Sequence, residues 1–177
     1  MRTSTQKKSK FVLTFSILML LLSMQSFAQD TLPGVTVIAY NYRYLRSVND
    51  PNTAQPVKML QQHSANFDLK KSEYYEEDFD EYFIAFYIPQ GEILATYDRD
   101  GKIIRTAERF KNVALPTDVR KSVNTRFPNW AIAKDFYLVS YYAEAKTPTK
   151  KTYKLILENG SKRMRVKTNE KGEFIEK

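Results

Sequence analysis

A chain with one histidine and no cysteine has few groups able to move a proton or form a covalent intermediate. The histidine, His63, stands in Gln61-Gln62-His63-Ser64. A Ser-His-Asp triad would have to use it, yet no G-x-S-x-G elbow presents a serine. With neither a second histidine nor H-E-x-x-H, a zinc site has no ligand set. Calcium prefers several carboxylate oxygens, and Glu73, Glu76, Glu77, Asp78, Asp80 and Glu81 crowd into nine residues. They lack the spaced D-x-[DN]-x-[DN]-G pattern, of which Asp98-Arg99-Asp100-Gly101 is only a fragment. The preferred reading is a solvated loop with Tyr74, Tyr75 and Phe79 folded inward. Five glycines supply neither a P-loop nor G-x-G-x-x-G. Paired carboxylates for glycoside hydrolysis stay open, because their spacing is three-dimensional. The expectation is no catalytic, cofactor or metal site.

The elements around these residues repeat. One offset of 71 lays Tyr82, Ile84, Phe86, Ile93, Ala95 and Gly101 on Tyr153, Leu155, Leu157, Met164, Val166 and Gly172. The matched apolar positions alternate, as inward faces of strands do. Upstream, Pro56 and Pro116 each open a helix, and Phe67 and Phe127 follow at the same interval, an offset of 60. In the second helix Val119, Val123 and Phe127 make one apolar stripe. This offset sets His63 on Val123, so His63 is expected as a half-buried structural residue. The pattern predicts a strand over 35–45, with Tyr40, Tyr42 and Tyr44 on one face. Helices follow near 56–67 and 116–127. Strands follow near 81–89, 92–98, 102–109, 131–144, 151–158, 162–168 and 172–176. Asp98-Arg99-Asp100-Gly101 and Asn159-Gly160 signal tight turns. The class is α+β: tandem units of one helix on an antiparallel meander, plus an N-terminal strand. The boundaries are 29–50 for the strand segment, 51–112 for the first unit and 113–177 for the second.

Residues 1–28 read as a secretory signal. Arg2, Lys7, Lys8 and Lys10 precede the apolar run Phe11–Met24, and Ser26-Phe27-Ala28 places small residues for cleavage after Ala28. A periplasmic or secreted protein is expected, with no membrane span once the signal is removed. The four signal cations leave 24 of the 28 Lys and Arg against 20 acids, so the net charge falls from +8 to +4. Residues 146–177 hold ten Lys and Arg against four Glu. With no nucleic-acid motif and an export signal, no nucleic-acid partner is expected for this basic end.

The segment Ala114-Leu115-Pro116 to Phe127-Pro128-Asn129-Trp130, followed by Tyr153-Lys154-Leu155, resembles PepSY-like proteins. These are the β-lactamase-inhibitor-like periplasmic proteins of Bacteroidetes, and the likeness runs from about Asn52 to the C-terminus. It implies tandem helix-on-sheet units, no reaction, and a protein partner gripped by the open sheet face. A nicotinate-nucleotide adenylyltransferase label, carried by some similar proteins, would need H-x-G-H after the first strand of a parallel sheet. Asn41-Tyr42-Arg43-Tyr44 stands there instead. The function expected is an exported binding or inhibitor-like protein with an unknown protein or peptide partner. An unidentified enzyme and a structural or sensory envelope component are the rivals.

Alternation suggests where a partner would sit. Met164 and Val166 point inward, so Arg163, Arg165 and Lys167 form an outward basic row. In the preceding strand Phe136, Leu138 and Tyr142 share one face, and Tyr137, Val139 and Tyr141 the other. The expected face joins Tyr137 and Tyr141 to Arg163, Arg165 and Lys167. It would be either a seat for an acidic or amphipathic partner or a solvated face whose charges prevent edge pairing. In the first unit Phe83, Ala85, Tyr87 and Leu94 point outward, and cover by 35–45 is the preferred reading.

Overall fold

The structure is a computed structural model that describes residues 41–145 and 149–176. The signal, the Ala28 cleavage point and residues 35–40 of the expected N-terminal strand lie outside them. The described chain is α+β. Three helices, α1 (Tyr42–Val48), α2 (Gln55–Ala65) and α3 (Thr117–Arg126), accompany six strands. These are β1 (Glu81–Ile88), β2 (Gly91–Asp98), β3 (Ile103–Lys111), β4 (Ala131–Tyr142), β5 (Lys150–Asn159) and β6 (Lys162–Thr168). The strands form one sheet in chain order with every neighbouring pair antiparallel. The β3–β4 pairing fuses the two meanders.

Residues 42–48 are helix, which corrects the strand expected over 35–45. Tyr44 and Val48, four apart, are the buried pair, so the working period is that of a helix stripe and not the alternation of the tyrosines. The strand expected at 172–176 reduces to a single bridge, Thr168 to Phe174.

The two hairpins share one register. Tyr82–Tyr97, Ile84–Ala95 and Phe86–Ile93 pair in the first, and Tyr153–Thr168, Leu155–Val166 and Leu157–Met164 in the second, each shifted by 71. The turns after them match as well. Asp98 Oδ1 accepts from the backbone N–H of Asp100 and Lys102, and Asn169 Oδ1 accepts from that of Lys171 and Glu173. A short acceptor side chain holds its own turn in both places. Strand β4 has no counterpart in the first half, where the acidic segment stands instead.

The helices do not follow the offset of 60. Pro56 lies inside the first turn of α2, whereas Pro116 is the N-cap of α3, and both positions accept proline. Val57 and Gln61 on α2 therefore correspond to the buried Val119 and Val123 on α3, an offset of 62. His63 is exposed, with its ring edge-on to Phe86 at 5.5 Å. It is not the half-buried core residue expected. Helix α2 packs on β1 and β2, and α1 on α2 and β4. Helices α1 and α2 thus cover one face, and the core lies beneath them around Tyr44, Ile93, Tyr97, Phe110, Tyr137 and Leu155.

Candidate functional site: the open face of the sheet

The inward side of the sheet contains two buried carboxylates, Asp135 in β4, which accepts from the Val113 N–H at 3.0 Å, and Glu108 in β3. In β3 the buried positions are Ile103, Thr106, Glu108 and Phe110, so a carboxylate occupies an apolar register. Glu108 accepts hydrogen bonds from Tyr44 Oη at 2.8 Å, Gln61 Nε2 at 2.7 Å and Thr106 Oγ1 at 3.0 Å. Burial pushes its carboxyl above the ordinary range, and these donors oppose the rise. A raised carboxyl in a cleft suits a general acid. Here the donors from α1, α2 and β3 enclose both oxygens, and the group acts as a fastener between layers.

The acidic segment turns outward. Glu73, Glu76, Glu77, Asp78 and Asp80 are all exposed, and no three His, Asp or Glu side chains converge as a metal cage among the described residues. Tyr74 and Phe79 are more than half exposed, which corrects the inward placement expected of them. Only Tyr75 is half-buried, stacked on Tyr82 at 5.6 Å.

Neither α1 nor α2 packs on the opposite side of the sheet, which only the end of α3 reaches. Register decides which residues reach it. Phe110 pairs with Tyr137 and Glu108 with Val139, so Tyr137, Val139 and Tyr141 share the buried side with the β3 core. Tyr137 is 1 % exposed and Tyr141 3 %. The expected grouping of these tyrosines with the basic row is therefore overturned. Arg163, Arg165 and Lys167 do project from the open face, but their aromatic and aliphatic neighbours are the alternate residues Phe136, Leu138 and Ile156.

Those neighbours line a groove of about 870 Å³ with Arg109, Lys154, Arg165 and Lys167; Arg126 and Phe127 at the end of α3 and residues 174–176 form its other wall, where Leu155 and Val166 from the buried side also reach it. One row crosses four strands as Lys111, Phe136, Lys154 and Lys167. Lys154 and Lys167 stand directly opposite each other, an arrangement that costs stability when nothing neutralises it. The Arg109 guanidinium lies 5.3 Å above the Phe136 ring and that of Arg126 4.5 Å above Phe174. Glu176 is the single acid lining the groove. Arg163 is set apart from the rest, since its Nε meets Glu158 at 2.6 Å. Among the described residues Arg109, Lys154, Arg165 and Lys167 make no salt bridge. The groove thus offers an apolar floor between cations. Arg109, Phe136, Leu138, Lys154 and Ile156 went unrecognised in the sequence, although each follows once β4 is put in register with β3.

The chain matches no protein-family model and no curated protein.

Proposed function

We propose that this chain is an exported, non-catalytic protein of the cell envelope, built of two PepSY-like units, that grips an acidic, partly apolar segment of a partner protein on its open sheet face. The observation that carries this reading is the facing pair Lys154 and Lys167 beside Phe136. Two ammonium groups held together on neighbouring strands gain most from a carboxylate placed between them. Leu138 and Ile156 supply the apolar contact that makes the site selective for a chain carrying hydrophobic side chains as well as acids. The shared hairpin register supports the two-unit reading, and the n-region and apolar run at the N-terminus support export.

The test is fluorescence anisotropy with labelled peptides in which Asp or Glu alternates with Leu or Phe. Binding is expected to weaken as salt is raised and to be lost in the Arg165→Glu, Lys167→Glu double variant. A peptide with Lys in place of the acids should not bind. Equal binding of acidic and basic peptides, or binding untouched by the double variant, would overturn the reading. Capture from an envelope fraction, with the same variant as control, would then identify the natural partner.

A further inference from the structure

The two edges of the sheet are built differently. The β6 edge carries Lys162, Arg163, Arg165 and Lys167, and the tail crosses it through the Thr168–Phe174 bridge and the bond from Ile175 N–H to the Lys167 carbonyl at 2.8 Å. Charges and cover of this kind prevent a further strand from adding. Among the described residues the β1 edge beyond Glu81 has neither. Tyr82 to Ile88 contains no charged residue and no proline. Among the described residues only β2 pairs with its backbone. On the open side of the same strand Phe83 is 72 % and Tyr87 67 % exposed, beside exposed Ala85 and Leu94. The expectation that this patch is covered fails for residues 41–45, which form part of α1 and its lead-in against the other face.

We infer that β1 pairs antiparallel with β1 of a second copy, about a two-fold axis through Ala85, to make one twelve-stranded sheet. The strand is complementary to itself in that register. Phe83 comes opposite the partner's Tyr87, and Tyr87 opposite the partner's Phe83. Small Ala85 meets itself at the axis. On the inner side Ile84 meets the partner's Phe86 and Tyr82 the partner's Ile88. Residues facing each other across an antiparallel pair must lie on the same side of the sheet, and this register satisfies that for all seven. It also places Glu81 opposite the partner's Pro89, so the acids beside β1 do not confront each other. A closed two-fold contact uses the same patch twice and ends there, and so it removes the exposed edge without starting a fibre. This inference is independent of the basic groove, which lies on the far strands.

The experiment is analytical ultracentrifugation of protein purified from the full coding sequence. The expected species is a dimer. Phe83→Lys with Tyr87→Lys puts two lysine pairs across the axis and should weaken dimerisation by about a hundredfold or more, roughly 2.8 kcal/mol. Both side chains are exposed in the protomer, so the circular dichroism spectrum should not change, and the melting temperature should fall no further than that of wild type diluted to the monomer. Because the chain has no cysteine, Ala85→Cys gives a second reading. Its thiols would meet at the axis and oxidise to a covalent dimer. Leu94→Cys, one strand further in, would stand about 14 Å from its copy and should not cross-link. A monomeric wild type, a dimer indifferent to the two lysines, or equal cross-linking of both cysteine variants would each overturn the inference.

Discussion

Tyr44 donates its phenolic hydrogen to Glu108 at 2.8 Å, and so a seven-residue helix too short to persist alone is tied to the third strand of the sheet. Ser47 and Thr149 make a second tie between their hydroxyls. The Glu108 bond is buried, and Gln61 from the neighbouring helix shares the same carboxylate. Removing the acceptor orphans these two donors and Thr106 Oγ1 as well. Glu108→Ala should therefore cost about 3 kcal/mol and Tyr44→Phe about 1.5 kcal/mol, read from urea unfolding.

The same carboxyl gives stability a defined pH dependence. Its folded-state value is raised above the ordinary 4.5. Its contribution is therefore fully present below that value and is lost as pH rises through the raised one. Glu108→Gln, which does not titrate, should gain stability relative to wild type as pH increases from 4 to 8. Urea midpoints that keep a constant separation over this range would contradict the assignment.

Gly101 and Gly172 hold φ of +80° and +79°. A side chain at either position costs about 1 kcal/mol in backbone strain. Only at Gly172 is there also no room, since a Cβ would stand 2.5 Å from Ser122 Oγ and 2.7 Å from the Asp118 carbonyl oxygen of α3. At Gly101 the nearest atom would be 3.8 Å away. Gly172→Ala should lower the melting temperature clearly more than Gly101→Ala.

Two buried tyrosines should respond in opposite ways to losing their hydroxyls. Tyr97 Oη donates to the Ser64 carbonyl at 2.6 Å, so Tyr97→Phe should cost about 1 kcal/mol. Tyr137 Oη makes no well-formed hydrogen bond among the described residues and has only the Thr53 hydroxyl, equally unpartnered, as a polar neighbour. Tyr137→Phe should be neutral or stabilising by chemical denaturation, because it removes a buried polar group while keeping the ring stack on Tyr153 at 4.5 Å.

His63 touches Phe86 by one ring edge and is otherwise exposed. His63→Gln should change stability by less than about 1 kcal/mol. A loss of 2 kcal/mol or more in the same unfolding assay would mean that the residue is packed as the core position first expected.

The strand boundaries and both hairpin registers were legible because Tyr82, Ile84 and Phe86 carry a clean alternation that recurs 71 residues on. Two features were not. Around Tyr40, Tyr42 and Tyr44 a two-residue spacing of one residue type imitates a strand, while the decisive pair, Tyr44 and Val48, is four apart. In β4 both sides are rich in large side chains, with Phe136, Leu138 and Tyr142 against Tyr137, Val139 and Tyr141. Hydrophobicity then has no power to choose a side, and the pairing with Phe110 and Glu108 makes the choice. The basic row was readable from β6 alone, but its neighbours depended on that choice.

The division of each strand between a helix-covered side and an open side separates two kinds of change during evolution. Substitutions at Arg109, Phe136, Lys154 or Arg165 alter what the surface recognises and leave the packing beneath the helices untouched. Such a sheet can drift to new recognition chemistry while its melting behaviour stays constant, which makes it a natural chassis for diversification.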